Sequence, residues 1–209
     1  MKKKYLVTGG AGFLGSCIAK KLLEDGHEIW IIDNLRTGYV ANVPNAAVFI
    51  QGDCSDQQTI DKLGFEVFDA IFHIAGQSSG EISFENPVYD INSNTVSSLV
   101  LLDFAKKTNC LRFIYASTMS VYGDIIGEYA HEELPSRPKS FYAVGKLATE
   151  SYLRIYSETN NINFTALRYF NIYGPGQRSG SLLPTIFSNL KEGRLPKINS
   201  PFNSNDYIF

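Results

Sequence analysis

Cysteine is scarce in this chain. Cys17, Cys54 and Cys110 are odd in number and lie far apart in 209 residues, which supports neither a disulfide framework nor a cysteine metal cluster. Histidine is as rare, and the scatter of His27, His73 and His131 argues against a zinc site. No G-x-S-x-G elbow is present, so nothing marks a serine hydrolase. No apolar run approaches the roughly 18–20 residues that span a bilayer. Lys2-Lys3-Lys4 begins like a secretory leader, but Thr8-Gly9-Gly10 interrupts any hydrophobic segment behind it. Charge of one sign is missing too. The formal net charge is -2 and Lys2 to Lys4 is the only basic run, so neither nucleic acid nor an anionic membrane finds an extended patch. Together these absences point to a reducing, cytoplasmic compartment.

What remains is an ordinary globular composition, 44% hydrophobic and 19% charged. Short strand-like runs alternate with longer helix-like stretches. "KYLVTG", "HEIWIID", "AAVFIQGD", "FDAIFHIAG", "LRFIYAST" and "FTALRYFN" read as strands; 13–25, 87–107 and 141–158 read as helices. The alternation predicts an α/β fold of the doubly wound kind, a mainly parallel sheet with helices on both faces. Ligands of such sheets sit beyond the carboxyl ends of the strands. A first domain over 1–175 and the beginning of a smaller second one over 176–209 are expected. "SPFNSNDYIF" reads as a turn into a strand, and the chain is expected to be a piece of something longer.

"YLVTGGAGFLGS" follows the first strand, and Gly9, Gly12 and Gly15 form G-x-x-G-x-x-G. A tight turn, close approach of the backbone to a pyrophosphate and close helix–strand packing each require a missing side chain. The helix N-terminal amides at Phe13, Leu14 and Gly15 then meet phosphate charge. The second strand ends at Asp33, eighteen residues beyond Gly15. A carboxylate there can accept both adenosine ribose hydroxyls and repels a 2′-phosphate, which favours NAD over NADP. Arg36 nearby leaves NADP open, and Asp33 could merely start the Asp33-Asn34 turn. Asp53 of "GDCSD" could accept from the adenine amino group, whereas Asp56 suits a helix cap.

"FYAVGKLATE" places Tyr142 and Lys146 four apart on one face of a helix. Free tyrosine has a pKa of about 10, and a cation within about 4–6 Å lowers an acid by roughly 1–3 units. The phenol would then take a proton from an alcohol near neutral pH. "YASTMSVYG" ends a strand in small hydroxyl residues, and Thr118 could hydrogen-bond the same substrate oxygen. Ser117 and Ser120 serve equally well as partners for strand-end backbone. A Y-x-x-x-K pair alone is weak, because any solvated helix face can carry one.

The pieces "VTGGAGFLGS", "DNLRTG", "GDCSD", "HIAGQSS", "ENPVYDINSNT", "ASTMSVYG", "YAVGK" and "LRYFNIYGPGQ" together resemble the extended short-chain dehydrogenase/reductase family. The likeness is to its nucleotide-sugar epimerase branch, of the UDP-glucose 4-epimerase type. It implies a Rossmann-type NAD-binding domain with Gly9, Gly12, Phe13, Leu14, Gly15, Asp33, Asn34, Asp53, Cys54, Ala75 and Asn94 at the cofactor. Tyr142 would be the catalytic base, Lys146 would bind nicotinamide ribose, and Thr118 would assist. Ser78 and Asn171 would meet the sugar nucleotide, and Arg168 would be structural. The sugar C4 hydroxyl would be oxidised to a 4-keto intermediate and reduced on its other face. Related 4,6-dehydratases carry Asp-Glu where this chain has Met119 and Ser120, which favours an epimerase. Gly76 stands where many members have Ala, and Asn205 where members have a phosphate-binding Arg. The resemblance also implies a homodimer through helices 87–107 and 141–158.

Overall fold

The computed structural model describes residues 1–125, 129–178, 180–196 and 207–208. Six strands form the main sheet: β1 (Lys4–Thr8), β2 (Glu28–Asp33), β3 (Val48–Gln51), β4 (Ala70–His73), β5 (Arg112–Thr118) and β6 (Asn163–Tyr169). Their order is β3-β2-β1-β4-β5-β6. The pairings from β3 through β5 are parallel; Leu6 on β1 is flanked by Trp30 on β2 and Ile71 on β4. The direction of winding reverses between β1 and β4, which opens a crevice above their carboxyl ends.

The strands are apolar on both faces because both faces are covered. On one side Val7, Ile29 and Ile31 pack with Ala19 of α1 (Phe13–Glu24). On the other, Leu6, Ile32, Ile71, Phe113 and Tyr115 pack with Ile60 of α2 (Gln57–Asp61) and with Leu101 and Leu102. The last two belong to α5 (Ser97–Lys107), and Leu153 of α6 (Phe141–Asn160) joins the same core.

The helix expected over 87–107 exists, but as three pieces. After α3 (Gly80–Glu85), α4 (Pro87–Ile91) starts with Pro at its first position and Asn86 accepting from Tyr89 N at 3.0 Å. A π-turn over Asn92–Val96 then leads into α5. At its exit Ser97 Oγ donates to Ser93 O at 2.7 Å and Ser98 Oγ to Asn94 O at 2.6 Å, sharing carbonyls of the helical ladder. Ser140 caps α6 by accepting from Ala143 N, and Asn161 ends it in the left-handed region at φ 55°.

The chain divides into two compact units, Met1–Arg168 and Tyr169–Phe209. In the second, β7 (Asn171–Ile172) pairs in parallel with β8 (Tyr207–Ile208), the strand expected near the end, and α7 spans Leu182–Lys191. Asn205 lies outside the described residues. Among the described residues no helix is long and apolar enough to cross a membrane, and no metal-binding cluster occurs.

Candidate active site

The glycine turn between β1 and α1 is closed by contact. Gly9 has φ 70°, and a Cβ on it would lie 2.8 Å from Ala75 N at the exit of β4. A Cβ on Gly15 would overlap Gly9 O, so the start of α1 rests directly on the turn. Gly12 caps α1 without a side-chain hydrogen bond, and no acidic residue stands in the first turn. The turn is thus a cradle whose helix-end amides suit an anion. Phe13 and Leu14 begin that helix and are half-buried.

At the tip of β2, Asp33 does two jobs. Its Oδ2 accepts from Ala11 N at 3.0 Å and its Oδ1 from Leu35 N at 2.8 Å. Holding the glycine turn and starting its own turn leaves further lone pairs on the carboxylate for hydroxyl donors. Asn34 Nδ2 donates to Asp53 Oδ2 at 2.8 Å, and Ser55 donates to Asp53 Oδ1 from both N and Oγ. Burial works against the Asp53 charge, yet these hydrogen bonds hold its pKa below the usual range. Asp56 caps α2 through Gln58 N at 3.0 Å. The Cys54 side chain is buried in the core, so only its backbone can face a ligand. The Arg36 guanidinium lies 4.0 Å from the centre of the Tyr89 ring, linking the loop after β2 to α4.

Thr118 ends β5, its hydroxyl hydrogen-bonded to Ser120 N and Oγ at 3.2 Å, and Tyr142 occupies the first turn of α6 close enough for Thr118 to favour its ionised form. Lys146 is buried; its Nζ donates to Ala116 O at 2.9 Å and lies 5.8 Å from the centre of the Tyr142 ring. A Cβ on Gly76 would come within 3.4 Å of that same Nζ. A Cβ on Gly9 would press on Ala75 and one on Gly76 would reach Lys146, so two consecutive residues after β4 lie beside the glycine turn and beside the lysine.

The electrostatics correct one expectation. Burial pushes the Tyr142 phenol above its ordinary pKa; the Thr118 hydrogen bond lowers it partway, and the charge of Asp90 raises it further. Lys146 is itself desolvated, with a pKa lowered to about 8 despite the help of Asp90. Positive charge brought by a ligand would acidify the phenol further.

Two participants lay hidden in the sequence. Asp90 is buried on α4 and accepts from Gln77 Nε2 at 2.7 Å and Asn94 Nδ2 at 3.1 Å. Glu150, one turn beyond Lys146, accepts from Ser117 Oγ and pairs with Arg168 NH2 at 2.7 Å. The i, i+4 spacings 90–94 and 146–150 were the available signal. Arg168 is structural, as expected: it also stacks 4.8 Å over Tyr122. Ser78 is exposed on the loop before α3, and Asn171 opens β7 in the second unit.

Comparison with known proteins follows the same lines. The family model described as "NAD dependent epimerase/dehydratase family" matches residues 5–206. A UDP-glucose 4-epimerase of Streptomyces lividans is 34% identical over 176 residues, covering 83% of this chain and 54% of that protein. A dTDP-D-glucose 4,6-dehydratase of Mus musculus is 33% identical over 202 residues, 92% of this chain and 57% of its own length. The crystal structure of the Thermus thermophilus UDP-glucose 4-epimerase in complex with NAD superposes with a TM-score of 0.86 at 37% identity, covering 93% of this chain and 64% of that one. The chain spans little more than half the length of these curated relatives.

Proposed function

Because this chain belongs to the NAD dependent epimerase/dehydratase family, we propose that it holds NAD in the crevice above β1 and β4 and epimerises a nucleotide sugar, at C4 of a UDP-sugar. The single observation behind this reading is the joining of the glycine turn to the Tyr142–Lys146 pair through Ala75 and Gly76.

The residues present fit the cofactor. Gly9, Gly12 and Gly15 leave room for a pyrophosphate against the start of α1, with Phe13 and Leu14 in the same helix end. Asp33 supports the adenosine ribose, with Asn34 and Asp53 around the adenine end. Asn94 keeps a buried, unpartnered Oδ1 near Lys146. When bound, NAD supplies a reversible hydride acceptor and, while oxidised, a positive ring charge.

The chain's own residues handle the proton. Thr118 orients the substrate hydroxyl and the Tyr142 phenol together, and Tyr142 takes the proton from that hydroxyl. Lys146 steadies the phenolate that accepts this proton, which the transfer turns into a neutral phenol, and it holds the nicotinamide ribose. Returning the same proton to the same oxygen completes a redox-neutral inversion. Met119 and Ser120 follow Thr118 and offer no acid for a leaving group, which favours epimerisation over the dehydration that the mouse relative's name describes. Ser78 and Asn171 are the proposed sugar-nucleotide contacts, and the assembly is a homodimer through the helices at 87–107 and 141–158.

The test is to purify the protein, release its cofactor and identify it, then offer UDP-, dTDP- and GDP-sugars and follow isomer interconversion. Bound NAD with interconversion of a UDP-hexose at C4 is the expected result. Bound NAD with no response to any sugar nucleotide would leave a cofactor-holding protein without catalysis and overturn the proposal.

A further inference from the structure

Asn94 sits in the π-turn, 1% exposed, and its Oδ1 has no hydrogen-bond partner. Its Nδ2 donates to Asp90 Oδ1 at 3.1 Å. An ionised carboxylate only accepts. The amide must therefore turn its NH2 toward Asp90, and its oxygen is held on the opposite side. That side faces Gly76, where a Cβ would lie 2.5 Å from Oδ1. Gly76 is itself exposed, and the absence of a side chain there is what leaves room for the buried oxygen.

The same Asp90 oxygen accepts from Gln77 Nε2 at 2.7 Å, and Gln77 Nε2 also donates to Ser79 O at 2.7 Å. One buried carboxylate thus fixes both the loop after β4 and the amide on the π-turn. Its charge also favours the cationic form of Lys146.

We propose that Asp90 is a positioning residue: it locks the Asn94 amide so that Oδ1 faces the crevice past Gly76 and accepts from an N–H or O–H donor of the bound pyridine nucleotide. The inference rests on the reading that this crevice holds NAD. A buried acceptor without a partner is costly, and a ligand donor that satisfies it gains affinity from the relief.

The experiment is calorimetric titration of the cofactor-stripped full chain with NAD, for wild type, Asp90→Asn, Asn94→Ala and the double variant, with thermal unfolding to verify folding. Asp90→Asn puts an amide where the carboxylate stood, frees Asn94 to flip, and is expected to weaken NAD about tenfold. In the Asn94→Ala background the same change should add less than about twofold, because Asp90 acts through Asn94. Wild-type affinity in Asp90→Asn, or full multiplication of the two effects, overturns the proposal. Should Asp90→Asn fail to fold, Gly76→Ala carries the test, since it crowds Oδ1 and leaves the carboxylate intact; unchanged NAD affinity there is equally fatal. A wild-type chain that binds no NAD would instead remove the reading of the crevice itself.

Discussion

Lys146 Nζ donates to the carbonyl of Ala116 at 2.9 Å, stitching α6 to the carboxyl end of β5. That bond holds the ammonium at a fixed place while Tyr142, one turn earlier, meets Thr118. Removing the phenol should cost what a positioned acid–base group contributes. Tyr142→Phe is expected to lower turnover about 10²–10⁴-fold with NAD affinity nearly unchanged. Steady-state kinetics on the responsive sugar nucleotide, paired with NAD titration, checks this; retained turnover would remove Tyr142 from the chemistry.

The lysine gives a pH signature without any ligand. Its pKa is about 8 in the folded chain, against 10.5 for an unperturbed lysine. Between those values the unfolded chain holds more protons than the folded one, so stability rises with pH through this window. Lys146→Met removes the titration. Urea unfolding of the ligand-free protein at pH 7.5 and 9.5 is expected to show a change more favourable by on the order of 2 kcal/mol in wild type than in the variant, the other titrating groups being common to both. Equal slopes in both would show that Lys146 is not the desolvated group.

Glu150 and Arg168 form the buried ion pair of the first unit, with side chains 8% and 19% exposed. Ser117 donates to Glu150 on its other flank. Cutting one partner leaves a charge uncompensated, so Arg168→Met should destabilise the fold by about 3 kcal/mol. The joint change Glu150→Gln with Arg168→Met should cost less than the single one. Chemical denaturation of the three proteins separates these outcomes.

Strand ends and the glycine turn were legible because their signals are local. The turn must sit between a β-branched run and a helix, and Asp33 follows at the distance one βαβ unit imposes. The π-turn was not legible: Pro87 and the apolar spacing of Val96, Leu99, Val100, Leu102 and Ala105 describe one continuous helix. The hydroxyls of Ser97 and Ser98 turn back onto the chain there, but Thr149, Ser151 and Thr159 do the same in the unbroken α6, so no residue type marks the interruption. Helices α2 and α3 are too short for a periodic pattern, although Asp56 and Ser79 cap them. Asp90 belongs to no motif that spacing would single out. Its burial depends on Gln77, thirteen residues earlier and on another element, which no periodicity connects to it. The rise in the Tyr142 pKa escaped for the same reason, since spacing reveals a cation nearby but not the desolvation of both groups.

Gly15→Ala tests the cradle. The new methyl would overlap Gly9 O and lie 2.7 Å from Gly9 C, backbone atoms that cannot step aside as a flexible side chain would. The start of α1 must lift away from the turn. NAD affinity is expected to fall at least about tenfold, with a lower unfolding temperature in the same protein. An unaltered titration would mean that the turn does not hold the pyrophosphate.

The proposed dimer has a concrete surface. Val88 and Ile91 on α4 are exposed, as are Phe141, Val144, Tyr152 and Ile155 on α6, spaced to share one side of that helix. Phe84 of α3 extends the patch, its ring 5.3 Å from that of Phe141. Contiguous apolar area of this kind gains free energy when a partner covers it. A second copy would present the same strip and match it by twofold symmetry. Val144→Arg with Ile155→Arg puts two cations on that strip without touching the core. Sedimentation equilibrium is expected to give a dimer for wild type and a monomer for the variant. Because both positions are exposed, monomer stability should change by less than about 1 kcal/mol. A wild-type chain that sediments as a monomer at every concentration tested would remove the dimer from the proposal.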